Sequence, residues 1–161
     1  MTWIRRVSAC LLVCACSAVS AHKDRIIERE TDGKLVGLPN QYEPAFLTLR
    51  PKAILRIGKN AVTIPQCLVE ALSLRQSNLR FTSSWYHDLS ILPPYLNIEV
   101  IQSESDNGFY NGYGLLFNLD TLKLLQIHRV ITAGESQTKK EVSLEAICNN
   151  EQLRELTPRV Q

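Results

Sequence analysis

Hydrophobic and polar positions alternate most regularly across residues 95–133, YLNIEVIQSESDNGFYNGYGLLFNLDTLKLLQIHRVITA. Leu96, Ile98 and Val100 alternate with Asn97, Glu99 and Ile101, the period of two that marks a half-buried strand. The polar run ESDNGFYNG predicts a loop, residues 113–119 a second strand, Asp120-Thr121 a tight reversal, and residues 124–131 a third strand. This is the pattern of an antiparallel meander, and the other strands are expected to join it.

Upstream, Ala45, Leu47 and Leu49 alternate with Phe46 and Thr48 until Pro51 breaks the run. Ala53, Leu55 and Ile57 resume it, Gly58-Lys59-Asn60 predicts a turn, and residues 61–64 pair back as a hairpin. Pro65 can open a helix because the first turn needs no backbone donor there. Leu68, Val69 and Leu72 then form an apolar stripe over residues 66–75, with Cys67 in the first turn. Residues 79–86, LRFTSSWY, predict a strand with Leu79, Phe81, Ser83 and Trp85 on one face and Arg80, Thr82, Ser84 and Tyr86 on a wet one. After residue 133 the run GESQTKK predicts a loop. Val142, Leu144 and Ala146 favour a strand over a helix start, and residues 151–156 predict a short C-terminal helix closed by Pro158. The fold class expected is α+β: an antiparallel β-sheet meander of about five to seven strands, with one helix between strands and a short C-terminal helix.

The N-terminus changes the picture. Arg5 and Arg6, an apolar run over residues 7–18 and Val19-Ser20-Ala21 predict a secretory signal peptide cleaved after Ala21. The run is shorter than the roughly 18 residues of a membrane-spanning helix. The division expected is a signal over residues 1–21, a polar extended arm or loosely attached strand over 22–42 with the charge run HKDRIIERETDGK, and one domain over 43–161. Val13-Cys14-Ala15-Cys16 also resembles a bacterial lipoprotein box, which would acylate Cys16 and anchor the chain to a membrane by lipid, without a span.

Of 18 Lys+Arg and 16 Asp+Glu, only Arg5 and Arg6 lie in residues 1–21, so the processed chain carries 16 of each and is formally neutral. Neutrality argues against nucleic acid or an anionic lipid surface as partner. Cys67 and Cys148 are the cysteines left after processing, an even pair in an exported chain, and are expected to form a disulfide.

Catalytic patterns are poor. Ser83, Ser84, His87 and Asp88 are close in sequence, but the Gly-x-Ser-x-Gly elbow is absent and strand neighbours point to opposite faces. Only His22, His87 and His128 could supply imidazole, without H-x-x-x-H or C-x-x-C spacing, so no metal site and no cofactor is expected. A further alternative uses His22: as a processed N-terminus it could chelate copper through amine and ring, in a way that resembles secreted copper proteins. Glu99, Glu104, Asp106 and Asp120 read as solvated acids of a sheet edge or loop.

The stretch DNGFYNGY interleaves aromatics with Gly and Asn, the composition of recognition loops. Phe109, Tyr110 and Tyr113, with Trp85 and Tyr86 nearby in the pattern, are the candidate binding residues. The function expected is an exported cell-envelope binding protein, not an enzyme. It would be periplasmic or secreted, with a protein partner, and its narrower form is an inhibitor or immunity-type protein acting on a secreted hydrolase or toxin. The alternatives are a structural envelope lipoprotein acylated at Cys16 and a small exported enzyme.

Overall fold

The computed structural model describes residues 23–30, 33–85, 93–107, 109–134 and 136–160. The signal and lipoprotein readings at residues 1–21 with Cys16, the His22 reading, and Tyr86, His87 and Asp88 lie outside the described residues. For Trp85 only the backbone is described.

The chain is mostly antiparallel β-sheet. In order come β1 (Lys23–Arg29), β2 (Lys34–Val36), β3 (Ala45–Thr48), β4 (Ala53–Ile57), β5 (Asn60–Ile64), α1 (Gln66–Ala71), β6 (Asn78–Trp85), β7 (Tyr95–Glu104), β8 (Tyr110–Asn118), β9 (Leu124–Ala133), β10 (Ser136–Val142), α2 (Asn150–Leu153) and β11 (Arg159–Val160). They form one sheet in the order β10-β9-β8-β7-β6-β1-β2-β3-β4-β5-β11. The two α-helices are six and four residues long. They close gaps in a sheet protein and do not form a layer of their own.

Strand β1 joins the two halves. Lys23–Ile27 pairs with β6, and Glu28 and Arg29 pair with β2. The polar stretch read as an arm therefore supplies β1 and β2, in the middle of the sheet. Its charges did not prevent this, because Ile27, Leu35, Leu38 and Tyr42 turn inward and join the core. Leu47 pairs with Leu55 and Leu55 with Val62 in one half, while Ile98 pairs with Leu115 and Leu115 with Ile127 in the other. All of these belong to a single hydrophobic cluster. Strands so far apart in one sheet share a core only if the sheet curls over on itself.

The linker after β5 helps close that curl. Pro65 caps α1, which buries Leu68 and Val69, and the chain turns out at Ser73 with positive φ. Cys67 is bonded to Cys148 with Cα atoms 5.6 Å apart, tying α1 to the C-terminal segment 81 residues on. Residues 144–146, expected to favour a strand, form a 3-10 turn that leads into Cys148. The polar run after residue 133 is strand β10 and not a loop, paired along its length with β9. A ladder needs only backbone groups, so an edge strand exposed on both faces carries no apolar signature.

Candidate functional site

The outer face of the β6–β10 half, opposite the core, gathers the polar residues of five strands. Alternation places Asn97 and Glu99 of β7 there, with Tyr110, Gly112, Gly114 and Leu116 of β8 and Gln126 and His128 of β9. Cross-strand register then brings Glu99 opposite Gly114, Gly114 opposite His128, and His128 opposite Glu141 of β10. Arg80 of β6 stands beside Glu99, its guanidinium 3.7 Å from the carboxylate.

The two glycines let this face close in on itself. A Cβ on Gly114 would stand 2.3 Å from Cε1 and Nε2 of His128, so the imidazole occupies the space a side chain would need. A Cβ on Gly112 would stand 2.2 Å from the Val100 carbonyl oxygen and 3.3 Å from the Tyr110 ring. Tyr110 and His128 thus lie across a glycine track.

A cavity of about 490 Å³ opens on this face. Tyr95 and Asn97 form one wall and Leu116 part of the floor; Gln126, His128, Lys139 and Glu141 complete it. Four side-chain atoms on the same face are buried without a hydrogen-bond partner in the protein: Asn97 Oδ1, Tyr110 Oη, His128 Nδ1 and Thr132 Oγ1. Leaving such an atom unpaired costs about 1–3 kcal/mol each. Tyr110 and Thr132 stand opposite each other at one end of this face, and His128 and Asn97 lie toward the other, beside the cavity. Asn97 uses its amide nitrogen, which donates to Glu99 Oε1 at 3.4 Å. Its oxygen is the half left over.

Two ionisable groups on this face are biased toward their neutral forms. Burial, and secondarily Lys139, lower the His128 pKa, which favours neutral imidazole. Burial and the nearby Glu99 carboxylate push the Tyr110 pKa up to about 12, so the phenol keeps its proton.

The sequence candidates separate. Phe109 is 42% exposed at the end of the loop joining β7 to β8. Tyr110 is half-buried on the outer face, whereas Tyr113 lies on the inner face, packed against the core opposite Val100. Tyr110 and Tyr113 therefore cannot serve one surface. Ser83 and Ser84 are both fully buried and lie on opposite faces of β6, so they form no exposed pair on one surface. Bonded to Cys148, Cys67 has no free thiol. Among the described residues no three His, Cys, Asp or Glu side chains gather in a metal-ligating group.

Asn97 and Gln126 carry no functional signal of their own in the sequence, and His128 stands out there only as one of three histidines. The alternation that predicts the meander also assigns them to the wet face. Their adjacency depends on two register shifts, between Ile101 and Ser103 and between Leu116 and Phe117, which no periodicity reveals. A larger groove of about 610 Å³, lined by Leu124, Leu144, Leu153, Leu156 and Pro158, is mostly apolar. It offers a ligand few directional partners, which makes it the weaker candidate. No protein-family model matches the chain, and neither does any curated protein or any solved structure.

Proposed function

We propose that the chain is an exported, non-enzymatic binding protein of the bacterial cell envelope, and that the outer face of β6–β10 is its recognition surface. One observation carries this reading: a cavity of about 490 Å³ opens on that face, where Asn97, Gln126, His128 and Lys139 converge beside Tyr95 and Leu116. A concave site with a few converging polar groups beside apolar ones suits a bound partner. The Cys67–Cys148 disulfide supports an oxidising compartment. Among the described residues no helix is long and apolar enough to cross a membrane.

The narrower reading, an inhibitor or immunity-type protein, draws support from exposed Phe109 at the edge of the same half of the sheet. The lipoprotein alternative rests on the box ending at Cys16, and mass spectrometry of protein from cells tests it by the acyl mass on that residue. The test of the main reading is affinity capture of envelope components with wild-type protein and with an Asn97→Ala/Gln126→Ala double variant that folds normally. Capture by the wild type and loss by the variant support the face. Equal capture by both contradicts it.

A further inference from the structure

We propose that the cavity between the end of β1, the end of β3 and the segment after α1 binds a phosphate monoester group through Arg29, Arg50 and Arg75. The site lies in the β1–β5 half of the sheet. It is separate from the outer face of β6–β10, and the reading of that face does not depend on it.

The backbone brings the three arginines together. Arg29 ends β1 and stands opposite Leu35, which is fully buried, so the ladder sets both on the inward face of the sheet. At the end of its strand, an inward arginine reaches the rim of the core. Gly33 lets the β1–β2 turn press against β3. With φ at +90°, a Cβ there would stand 2.7 Å from the Leu47 carbonyl oxygen, and the Leu47 N–H donates to the Gly33 carbonyl at 2.8 Å. Arg75 is oriented by the chain on the far side of the cavity. Its Nε donates to the Leu49 carbonyl at 2.9 Å and its Nη2 to the Pro51 carbonyl at 3.1 Å. Those two carbonyls flank Arg50 in sequence, so Arg50 and Arg75 are held side by side. Among the described residues, Nη1 of Arg75 has no acceptor.

The cavity measures about 370 Å³ and has Thr48 and Leu49 beside the arginines. Among the described residues, three guanidiniums line it and no carboxylate does. Like charges gathered in a concavity repel, and its low-dielectric walls strengthen their field, so an anion is the ligand that lowers the energy. Residues 22–161 are formally neutral, which confines that attraction to the cavity itself.

The number of arginines selects the anion. A carboxylate has two oxygens, and one guanidinium fork satisfies both. A phosphate monoester has three terminal oxygens and about two negative charges at neutral pH, so each arginine can take an oxygen. The Thr48 hydroxyl can donate to the same group, and partly buried Leu49 offers an apolar wall to the organic part of the ester.

The test uses processed protein purified from cells with its disulfide intact. Inorganic phosphate, glycerol phosphate and acetate are titrated calorimetrically at low salt. In a second arm, the protein is floated with vesicles of phosphatidylcholine alone or with added phosphatidic acid. Binding of phosphate or glycerol phosphate is expected, at least about tenfold tighter than acetate. Arg29→Gln and Arg50→Gln should each weaken it about tenfold or more, and Arg29→Lys, which keeps the charge and loses the fork, should fall between. Lys59→Gln, a cation in the β4–β5 turn, should leave it unchanged. Arg29 and Arg50 are exposed, and unfolding midpoints confirm that their variants fold. Binding of the soluble esters identifies a small-molecule source. Binding to phosphatidic acid vesicles alone, lost in the Arg29→Gln/Arg50→Gln variant, identifies a lipid headgroup, and both results support the phosphate chemistry. No binding in either arm overturns the proposal. So does binding that the Arg29→Gln/Arg50→Gln variant retains, or acetate binding as tight as phosphate.

Discussion

The imidazole of His128 lies over Gly114, so close that a Cβ on the glycine would stand 2.3 Å from two of its ring atoms. Directly opposite in the ladder, the two residues form a pair in which one member has no side chain and the other fills the gap. The arrangement tucks a neutral histidine into a sheet face that would otherwise hold it out in water.

Substitutions at the two glycines should therefore differ. At Gly112 the obstacle is the Val100 carbonyl, a backbone atom in a ladder. At Gly114 it is mainly a side-chain ring that can swing away, with Asn97 Oδ1 at 3.0 Å. Gly112→Ala is expected to cost about 3 kcal/mol or more, and Gly114→Ala about 1–3 kcal/mol. Urea unfolding measures both. In Gly114→Ala the displaced imidazole should also titrate nearer the ordinary histidine value, which NMR can follow.

Removing unpaired polar atoms should not weaken the fold. Tyr110→Phe and Thr132→Val delete buried hydroxyls that have no partner in the protein. Both are expected to be neutral or stabilising by up to about 1 kcal/mol. Tyr42→Phe is the contrast: its hydroxyl donates to Asp120 Oδ1 at 2.9 Å, across 78 residues. Losing a bond to a carboxylate should cost about 2 kcal/mol. Thermal unfolding of the three variants gives the ordering.

Stability should follow pH through His128 and Tyr110. Burial, then Lys139, holds the His128 pKa below 6.5, so between the two values the unfolded chain binds a proton the folded chain does not. Its stabilising contribution is present above about pH 6.5 and is lost as pH falls through the folded value. His128→Gln should flatten this acid limb in urea midpoints taken from about pH 7.5 to about pH 5. Tyr110 behaves oppositely. With its pKa raised from 10.0 to about 12, its contribution is present below pH 10.0 and is lost as pH rises through about 12. Absorbance titration should show a late-ionising tyrosinate near pH 12 that is missing in Tyr110→Phe, while Tyr42, also raised by burial, remains.

The disulfide closes a loop of 81 residues. Chain-entropy arguments put its contribution at about 4 kcal/mol, through the unfolded state. Denaturant unfolding with and without reductant, and of the Cys67→Ser/Cys148→Ser variant, should show losses of that order.

Much of the meander was legible because burial on one face imposes a period of two. Leu96, Ile98 and Val100, then Leu115 and Phe117, announce their strands. The β3–β5 hairpins were legible for the same reason, with Pro51 and Gly58 marking the bends. Strand β10 was not, since its residues are nearly all exposed and its pairing with β9 is a backbone matter. Strand β1 was obscured by charges that face water on both sides of Ile27. At the candidate site, Tyr110 was legible from its Gly- and Asn-rich surroundings. His128 was visible only as one of three histidines, and its meeting with Asn97 beside Gly114 was not, because cross-strand partners are set by bulges and register. Tyr113 was grouped with Tyr110 by nearness in sequence, but three positions along a strand reverse the face.

The central claim is that binding occurs on the outer face of β6–β10. The most direct measurement is the NMR amide map of the processed protein as it is titrated with the partner it captures. The account expects shifts concentrated at residues 95–99, 110–116, 126–128 and 139–141. Shifts concentrated instead around Leu144, Leu153 and Leu156, with those four stretches unmoved, would contradict it.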